Sequence, residues 1–265
     1  MEKAVILPMK SKIWLKLCYW MALLFLILPF FSFAVRHQFL NPENLNPTRI
    51  WQSLQVSLLS SLLASLIILL VGLPAAYYMS KATSRFKSFL DSLLTLPQVL
   101  PPAVIGLLLL FTYGNTGFIG RHLQILGIRF SFSMLSVVLT FVFVALPLFM
   151  NGCAVAFAKV DPELEQMAAI LGDSPQKVFW RITLPIAKKG IITAFLMAWS
   201  RGLAEFGATM MFAGNLPGIT QTLPLAIFSA LETNIYDALM LAFIMFVLAT
   251  AILITIHQLT KETKR

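Results

Sequence analysis

The chain has 265 residues, of which 58% are hydrophobic and only 12% are charged, with a mean hydropathy of +0.84 and a formal net charge of +9. A soluble globular domain carries charge on roughly a quarter of its residues, so this composition excludes an ordinary soluble protein. Because the apolar residues also form long uninterrupted blocks, we predict an all-α integral membrane protein.

Six apolar blocks follow one another along the chain, and each reaches the roughly 20 residues that a helix needs to cross a bilayer. Five of them contain no acidic or basic residue (17–35, 54–80, 92–113, 130–158 and 238–256), and the fifth in chain order (190–212) contains only Arg201 and Glu205. We predict a single transmembrane domain over residues 1–265, with six transmembrane helices at about 14–35, 54–80, 92–113, 132–157, 190–212 and 237–258.

The positive charges are distributed unevenly between the two ends of these spans. Six spans put both termini on one side, together with Lys81, Lys177, Lys188 and Lys189 and most of the other basic residues. Positive charge marks the cytoplasmic side, so we predict a multi-pass protein of the inner (cytoplasmic) membrane with both termini cytoplasmic. The net positive charge is therefore explained by the orientation of the chain in the lipid bilayer, and nucleic acid is excluded as a partner.

Sequence signals of catalysis are missing. The chain has no G-x-x-x-x-G-K-[ST] phosphate loop, no Ser/His/Asp grouping and no cluster of cysteines and histidines. We therefore predict no catalytic, metal-binding or cofactor-binding residues, and no enzymatic activity of its own. If the chain is a transporter, its source of energy lies in another protein.

The connection between the fourth and fifth spans, residues 161–185, carries the clearest helix signals outside the spans. Asp161 is a good N-cap, and Gly172 ends the helix. Apolar residues recur on one face at Leu164, Met167, Ala168 and Leu171. Such a helix could rest on the bilayer or dock on a partner. The small residues Ala168, Ala169 and Gly172 favour a partner, whose backbone could approach closely.

The same connection carries a family motif. Gln166-Met167-Ala168, Gly172 and, after nine residues, Ile182-x-Leu184-Pro185 resemble the EAA loop of ABC importer permeases, with Gln166 for Glu and Met167 for Ala. The resemblance implies the type I ABC importer fold, in which this loop forms a cytoplasmic coupling helix that docks into a groove on the ATPase. It implies ATPase-coupling roles for Asp161, Glu165, Gln166, Met167, Ala168, Leu171, Gly172, Ile182, Leu184 and Pro185.

A second resemblance lies in and after the fifth span. The segment 201–209, continuing through Ala213-Gly214-Asn215 to residues 220–224, is similar to the signature of molybdate permeases. Sulfate permeases share its Arg…Glu-Phe-Gly core and its Ala-Gly-Asn. The Gly-Ala-Thr of residues 207–209 and the Thr-Gln-Thr-Leu-Pro of residues 220–224 favour molybdate or tungstate.

Arg201 and Glu205 are charged residues at the predicted depth of the membrane, where each costs on the order of 2.5–3.5 kcal/mol. Four residues apart on a helix, they share a face and can neutralise each other. They are either a structural ion pair or, with Gly207 and Thr209, part of the translocation pathway, and the sequence leaves both interpretations open.

Together the resemblances imply the permease subunit of an ATP-driven molybdate or tungstate importer. Two copies would form the pathway, a cytoplasmic ABC ATPase dimer would bind ATP and Mg²⁺, and an extracytoplasmic oxyanion-binding protein would deliver the substrate. A sulfate or thiosulfate ABC permease is the alternative within the family. A secondary anion transporter is a different class, which the spacing of the coupling loop argues against.

Overall fold

The computed structural model describes residues 9–35, 45–81 and 85–262, and these residues form helices joined by turns, without strands. The chain divides into two compact units, residues 1–45 and residues 46–265. The first contains helix α1 (Met9–Val35), whose segment Trp14–Phe33 is apolar and long enough to cross a bilayer. The prediction of an all-α membrane protein is confirmed.

The second unit is also built from helices. In chain order these are α2 (Pro47–Ile67), a π-helical segment (Ile68–Gly72), α3 (Leu73–Lys81), α4 (Arg85–Val99), α5 (Pro102–Tyr113), α6 (Gly120–Ile125), α7 (Met134–Ala158), α8 (Pro162–Ile170), α9 (Pro175–Val178), a second π-helical segment (Phe179–Thr183), α10 (Leu184–Leu203), α11 (Gly207–Phe212), α12 (Leu223–Thr233) and α13 (Ile235–Glu262).

Five described stretches are long and apolar enough to be spans, and a bent pair of helices adds a sixth when it is counted as one. The five stretches are Trp14–Phe33, Pro47–Lys81, Met134–Ala158, Pro175–Leu203 and Ile235–Leu259. Two of the predicted spans are interrupted, because the chain bends within residues 92–113 and breaks within residues 190–212.

The third span is bent by 117° between Ser92–Val99 and Pro102–Tyr113. Steric conflict with a following proline ring moves the preceding residue out of the α region. Pro101 accordingly has an extended conformation, with φ −57° and ψ 136°, because Pro102 follows it. The span predicted over residues 92–113 therefore consists of two helices, and consecutive prolines are the cause of the bend.

Two other prolines each stand two residues after a π-helical segment. Pro74 follows Ile68–Gly72, and Pro185 follows Phe179–Thr183. A proline ring inside a helix clashes with the carbonyl four residues earlier, which here belongs to the middle residue of each π segment. Widening the turn relieves this clash, so both spans continue past their prolines.

Helix α7 is the centre of the second unit and packs against α2, α3, α4, α10 and α11. Its side chains Phe149 and Phe157 are completely buried. Small residues set its distance to α10, because a Cβ on Gly152 would come within 2.6 Å of the Ala194 Cβ. Such close approach is typical of helix pairs in membranes. Both groups of predicted site residues adjoin this closely packed pair, one in the connection between α7 and α10 and one at the end of α10.

Candidate functional site

The connection between α7 and α10 contains the first group of predicted site residues. The Asp161 side chain accepts a hydrogen bond from the Glu163 N–H at 2.9 Å, and Pro162 occupies the first helical position of α8. At the other end Gly172 has φ +91°, and the Asp173 N–H donates to the Ala168 carbonyl at 3.1 Å. This is a Schellman-type helix end, which needs glycine for its positive φ. The predicted boundaries of this helix therefore follow from local chemistry.

One face of α8 projects away from the described chain and is apolar. Its tip consists of Met167, Ile170 and Leu171, whose exposed fractions are 60%, 85% and 85%. An exposed apolar cluster of this kind marks an interaction surface. Ile170 lies outside the i, i+3, i+4, i+7 series of apolar residues on α8, so the periodicity of the sequence does not identify it. We refer to Met167, Ile170 and Leu171 as the apolar tip.

Ala168 does not belong to this surface. It is buried against the chain itself, with an exposed fraction of 7%. The prediction that Ala168 and Gly172 together form a small face for a partner is therefore wrong for Ala168. A Cβ on Gly172 would meet no atom within 4 Å, so the glycine is explained by its backbone conformation.

Glu165 lies on the same inward side of α8, and its side chain is only 15% exposed. Its Oε2 accepts from Lys81 Nζ at the end of α3, and its Oε1 accepts from the hydroxyl of Thr183 at 2.6 Å. Thr183 is completely buried in the second π segment. Both oxygens of this carboxylate thus bind groups of this chain.

The other predicted coupling residues take intermediate positions. Gln166 is exposed on α8, Ile182 and Leu184 are half-buried at the start of the fifth span, and Pro185 is exposed in the first turn of α10. The Ile-x-Leu-Pro part of the motif therefore lies at the junction of the second π segment and α10. Its coupling role stays a prediction.

The second group of site residues surrounds a break after α10. That helix ends at Leu203 and α11 begins at Gly207, so Arg201 occupies the last turn and Glu205 lies between the helices. The prediction of one helix over residues 190–212, with both charges near its middle, is wrong. The break lets α11 pack against α5, where a Cβ on Gly207 would come within 2.8 Å of the Pro102 Cβ.

Glu205 is the buried member of this group, with a side chain that is 2% exposed. Its Oε2 accepts from Arg201 Nη1 at 2.7 Å, and its Oε1 accepts from the Ala208 N–H at 2.9 Å. The carboxylate therefore pairs with Arg201 and also satisfies a free N–H at the start of α11. Arg201 itself is 40% exposed. The expected pair forms, while a role in the pathway stays a prediction.

A small cavity with both polar and apolar side chains in its wall adjoins Glu205. Its wall includes Thr209, which was predicted as a site residue, and also Ser57, Ser60 and Thr222. Thr222 belongs to the segment 220–224 of the second resemblance. Ser57 and Ser60 were not identified from the sequence, although buried serines recur along α2 at helical spacing (Ser53, Ser57, Ser60 and Ser61). That periodicity is the signal that could have identified them.

A second buried acid lies at the opposite ends of the spans. Asp237 is completely buried at the start of α13, and its Oδ1 accepts from the Asn46 N–H at 2.7 Å. Its Oδ2 lies 3.8 Å from Arg49 Nη1, which also donates to the Thr233 hydroxyl. These contacts join the beginnings of α2 and α13, just as Lys81 and Glu165 join the end of α3 to α8.

Comparison with known proteins places both groups of residues inside a region that a family model matches. The model of the family described as "Binding-protein-dependent transport system inner membrane component" matches residues 68–260. The molybdenum transport system permease protein ModB of Escherichia coli (strain K12) is 42% identical over 184 residues, which are 69% of this chain and 80% of that protein. Its namesake from Mycobacterium tuberculosis is 36% identical over 202 residues, 76% of each chain.

A solved structure with the same fold is that of a bacterial alginate ABC transporter in complex with an alginate-bound periplasmic protein. One of its chains matches with a TM-score of 0.72 over 96% of both chains, at 15% sequence identity. At this identity the similarity concerns the fold alone.

Proposed function

The chain belongs to the family of binding-protein-dependent transport system inner membrane components, and from that premise we propose that it is the permease subunit of an ATP-driven importer for molybdate. The assignment of molybdate as the substrate rests on the sequence identity of 42% and 36% with two molybdenum transport permeases. Tungstate, an oxyanion of the same shape and charge, is the expected second substrate. Selection among oxyanions falls mainly to the binding protein that delivers them.

The energy for transport comes from a separate ATPase that docks on α8. The apolar tip supports this, because Ile170 and Leu171 are each 85% exposed at the end of a helix that is capped at both termini. Burial of such side chains in a groove would contribute roughly 1.5–3 kcal/mol each. ATP and Mg²⁺ belong to that partner. A second copy of this chain completes the pathway, and an extracytoplasmic binding protein delivers the anion.

The side of the membrane that carries α8 is the cytoplasmic one. Lys81, Lys177, Lys188 and Lys189 lie at this side, whereas Arg49 lies at the other. The positive-inside rule then places α8 in the cytoplasm and the Arg49–Asp237 contact outside. The chain ends, residues 1–8 and 263–265, lie outside the described residues, and their cytoplasmic position is part of this proposal.

Transport by the reconstituted complex tests the function. The chain would be placed in liposomes with its ATPase and binding protein, and uptake of labelled molybdate would be measured with and without ATP. We expect uptake that requires both partners, that tungstate inhibits and that sulfate does not. Uptake driven by an ion gradient without the ATPase would indicate a secondary transporter, and preferential uptake of sulfate would indicate the other importer class.

Cysteine labelling tests the orientation. In a background without Cys18 and Cys153, a cysteine at the exposed Lys177 should be protected from an impermeant thiol reagent in intact cells. A cysteine at the exposed Pro217 should react. Labelling of position 177 from outside would refute the topology.

A further inference from the structure

We propose that Glu165 is a positioning residue that fastens α8 to the second and the fifth spans, so that any displacement of α8 reaches both spans together. The inference rests on the proposed function, because a docked ATPase is the source of that displacement. It assigns Glu165 to the transmission of movement within this chain, and leaves contact with the ATPase to the apolar tip.

The bond to Thr183 connects α8 to the fifth span. Glu165 and Thr183 are 18 residues apart, and their hydrogen bond of 2.6 Å closes the segment between them into a loop. Thr183 is completely buried at the root of α10, so its hydroxyl has a fixed position. Because this loop is closed, α8 cannot swing away without moving the beginning of α10.

The bond to Lys81 connects α8 to a different span, 84 residues away in sequence. Lys81 Nζ also lies 5.8 Å from the centre of the Tyr77 ring. That ring packs edge-on against Phe157 and Phe179, with centroid distances of 5.3 and 4.9 Å. The ion pair therefore rests on an aromatic cluster that joins α3, α7 and the second π segment, and its geometry is supported on several sides.

With Lys81 and Thr183 as its partners, position 165 requires a carboxylate. Each of its two oxygens accepts from a different donor, an ammonium and a hydroxyl. Glutamine offers one acceptor oxygen and an NH₂ donor, and lysine has no acceptor to receive that donor. The neighbouring residue Gln166 could not take the role of Glu165, because it is an amide and because its side chain is exposed.

The test separates docking, ATP hydrolysis and transport in the complete complex. Glu165→Ala should purify with the ATPase and hydrolyse ATP as the wild type does, because the apolar tip is intact. Loss of the two charge-assisted bonds should lower the molybdate transported per ATP by about tenfold. Glu163→Gln, which removes the same charge from an exposed position in the same helix, is the matched control and should transport normally.

A charge reversal keeps the inference testable even if one of the single variants fails to fold. Glu165→Lys should lose transport per ATP, since it places two ammonium groups together. Adding Lys81→Glu should recover most of it, because the ion pair is rebuilt and the new lysine can still donate to the Thr183 hydroxyl.

Three results would overturn the inference. These are unchanged transport per ATP in Glu165→Ala, loss of the ATPase from that variant during purification, and a double reversal no better than Glu165→Lys alone. A wild-type complex without ATP-driven molybdate uptake would refute the proposed function, and this inference with it.

Discussion

Removal of the Arg201 side chain should strongly destabilise the chain, because it leaves the Glu205 carboxylate buried without its counter-charge. The carboxylate would keep one hydrogen bond, from the Ala208 N–H at 2.9 Å. Breaking one partner out of a buried ion pair costs about 3–5 kcal/mol. For a chain of this size we expect Arg201→Ala to lower the melting temperature on the order of 10 °C.

Second substitutions identify the cause of this loss. Arg201→Ala combined with Glu205→Gln removes the unpaired charge and keeps an acceptor for the Ala208 N–H, so it should recover most of the stability. Arg201→Ala with Glu205→Ala also removes the charge, but it leaves that N–H without an acceptor, which costs about 1–3 kcal/mol. The glutamine double variant should therefore melt above the alanine double variant.

Heating purified protein and measuring the fraction that stays monodisperse by size exclusion would provide the melting temperatures. Arg181→Ala is the matched control, since Arg181 is 69% exposed and lies 3.9 Å from Asp173. Such surface pairs contribute only about 0–1 kcal/mol. Equal melting temperatures for Arg201→Ala and this control, or no recovery with glutamine, would refute the reasoning. A stable but inactive glutamine double variant would instead show that the pair serves the pathway.

Three further outcomes follow from the structure. Ile170→Asp should remove the ATPase from the purified complex without changing the melting temperature, because Ile170 is 85% exposed; retention of the ATPase would contradict this. Gly172→Ala should cost about 1–2 kcal/mol because of its φ of +91°, yet leave ATPase binding intact, as melting and co-purification would show. Gly152→Leu should abolish folded protein in a size-exclusion assay, since even a Cβ there comes within 2.6 Å of the Ala194 Cβ.

Features that depend on local chemistry could be predicted from the sequence. Asp161 caps α8 and Gly172 ends it because each acts through backbone groups a few residues away. The apolar blocks identified the spans for a similar reason, since the bilayer acts on each block separately. The spacing of four residues predicted the pairing of Arg201 with Glu205, although Glu205 lies two residues beyond the end of α10 and not on its face.

Features that depend on distant neighbours could not be predicted in this way. Apart from Arg201 and Glu205, the block over residues 190–212 has the composition of one apolar span, and its break after Leu203 requires the Glu205 carboxylate and the surface of α5. The inward position of Ala168, with Met167 outward, likewise depends on the packing of α8 against α9 and the second π segment. Periodicity identifies a face of a helix, but the partner of that face is a property of the fold.

The bend between α4 and α5 has a consequence for the order in which the protein is assembled. A straight helix there would need N–H groups at positions 101 and 102, and both residues are prolines. The bent chain leaves few donors unpaired, because Leu100 donates to Leu96 and both Val104 and Ile105 donate to Pro101. The bend is therefore specified by the covalent chain, so this segment should already be bent when it leaves the ribosome and enters the bilayer, before α7 and α11 are available to pack against it.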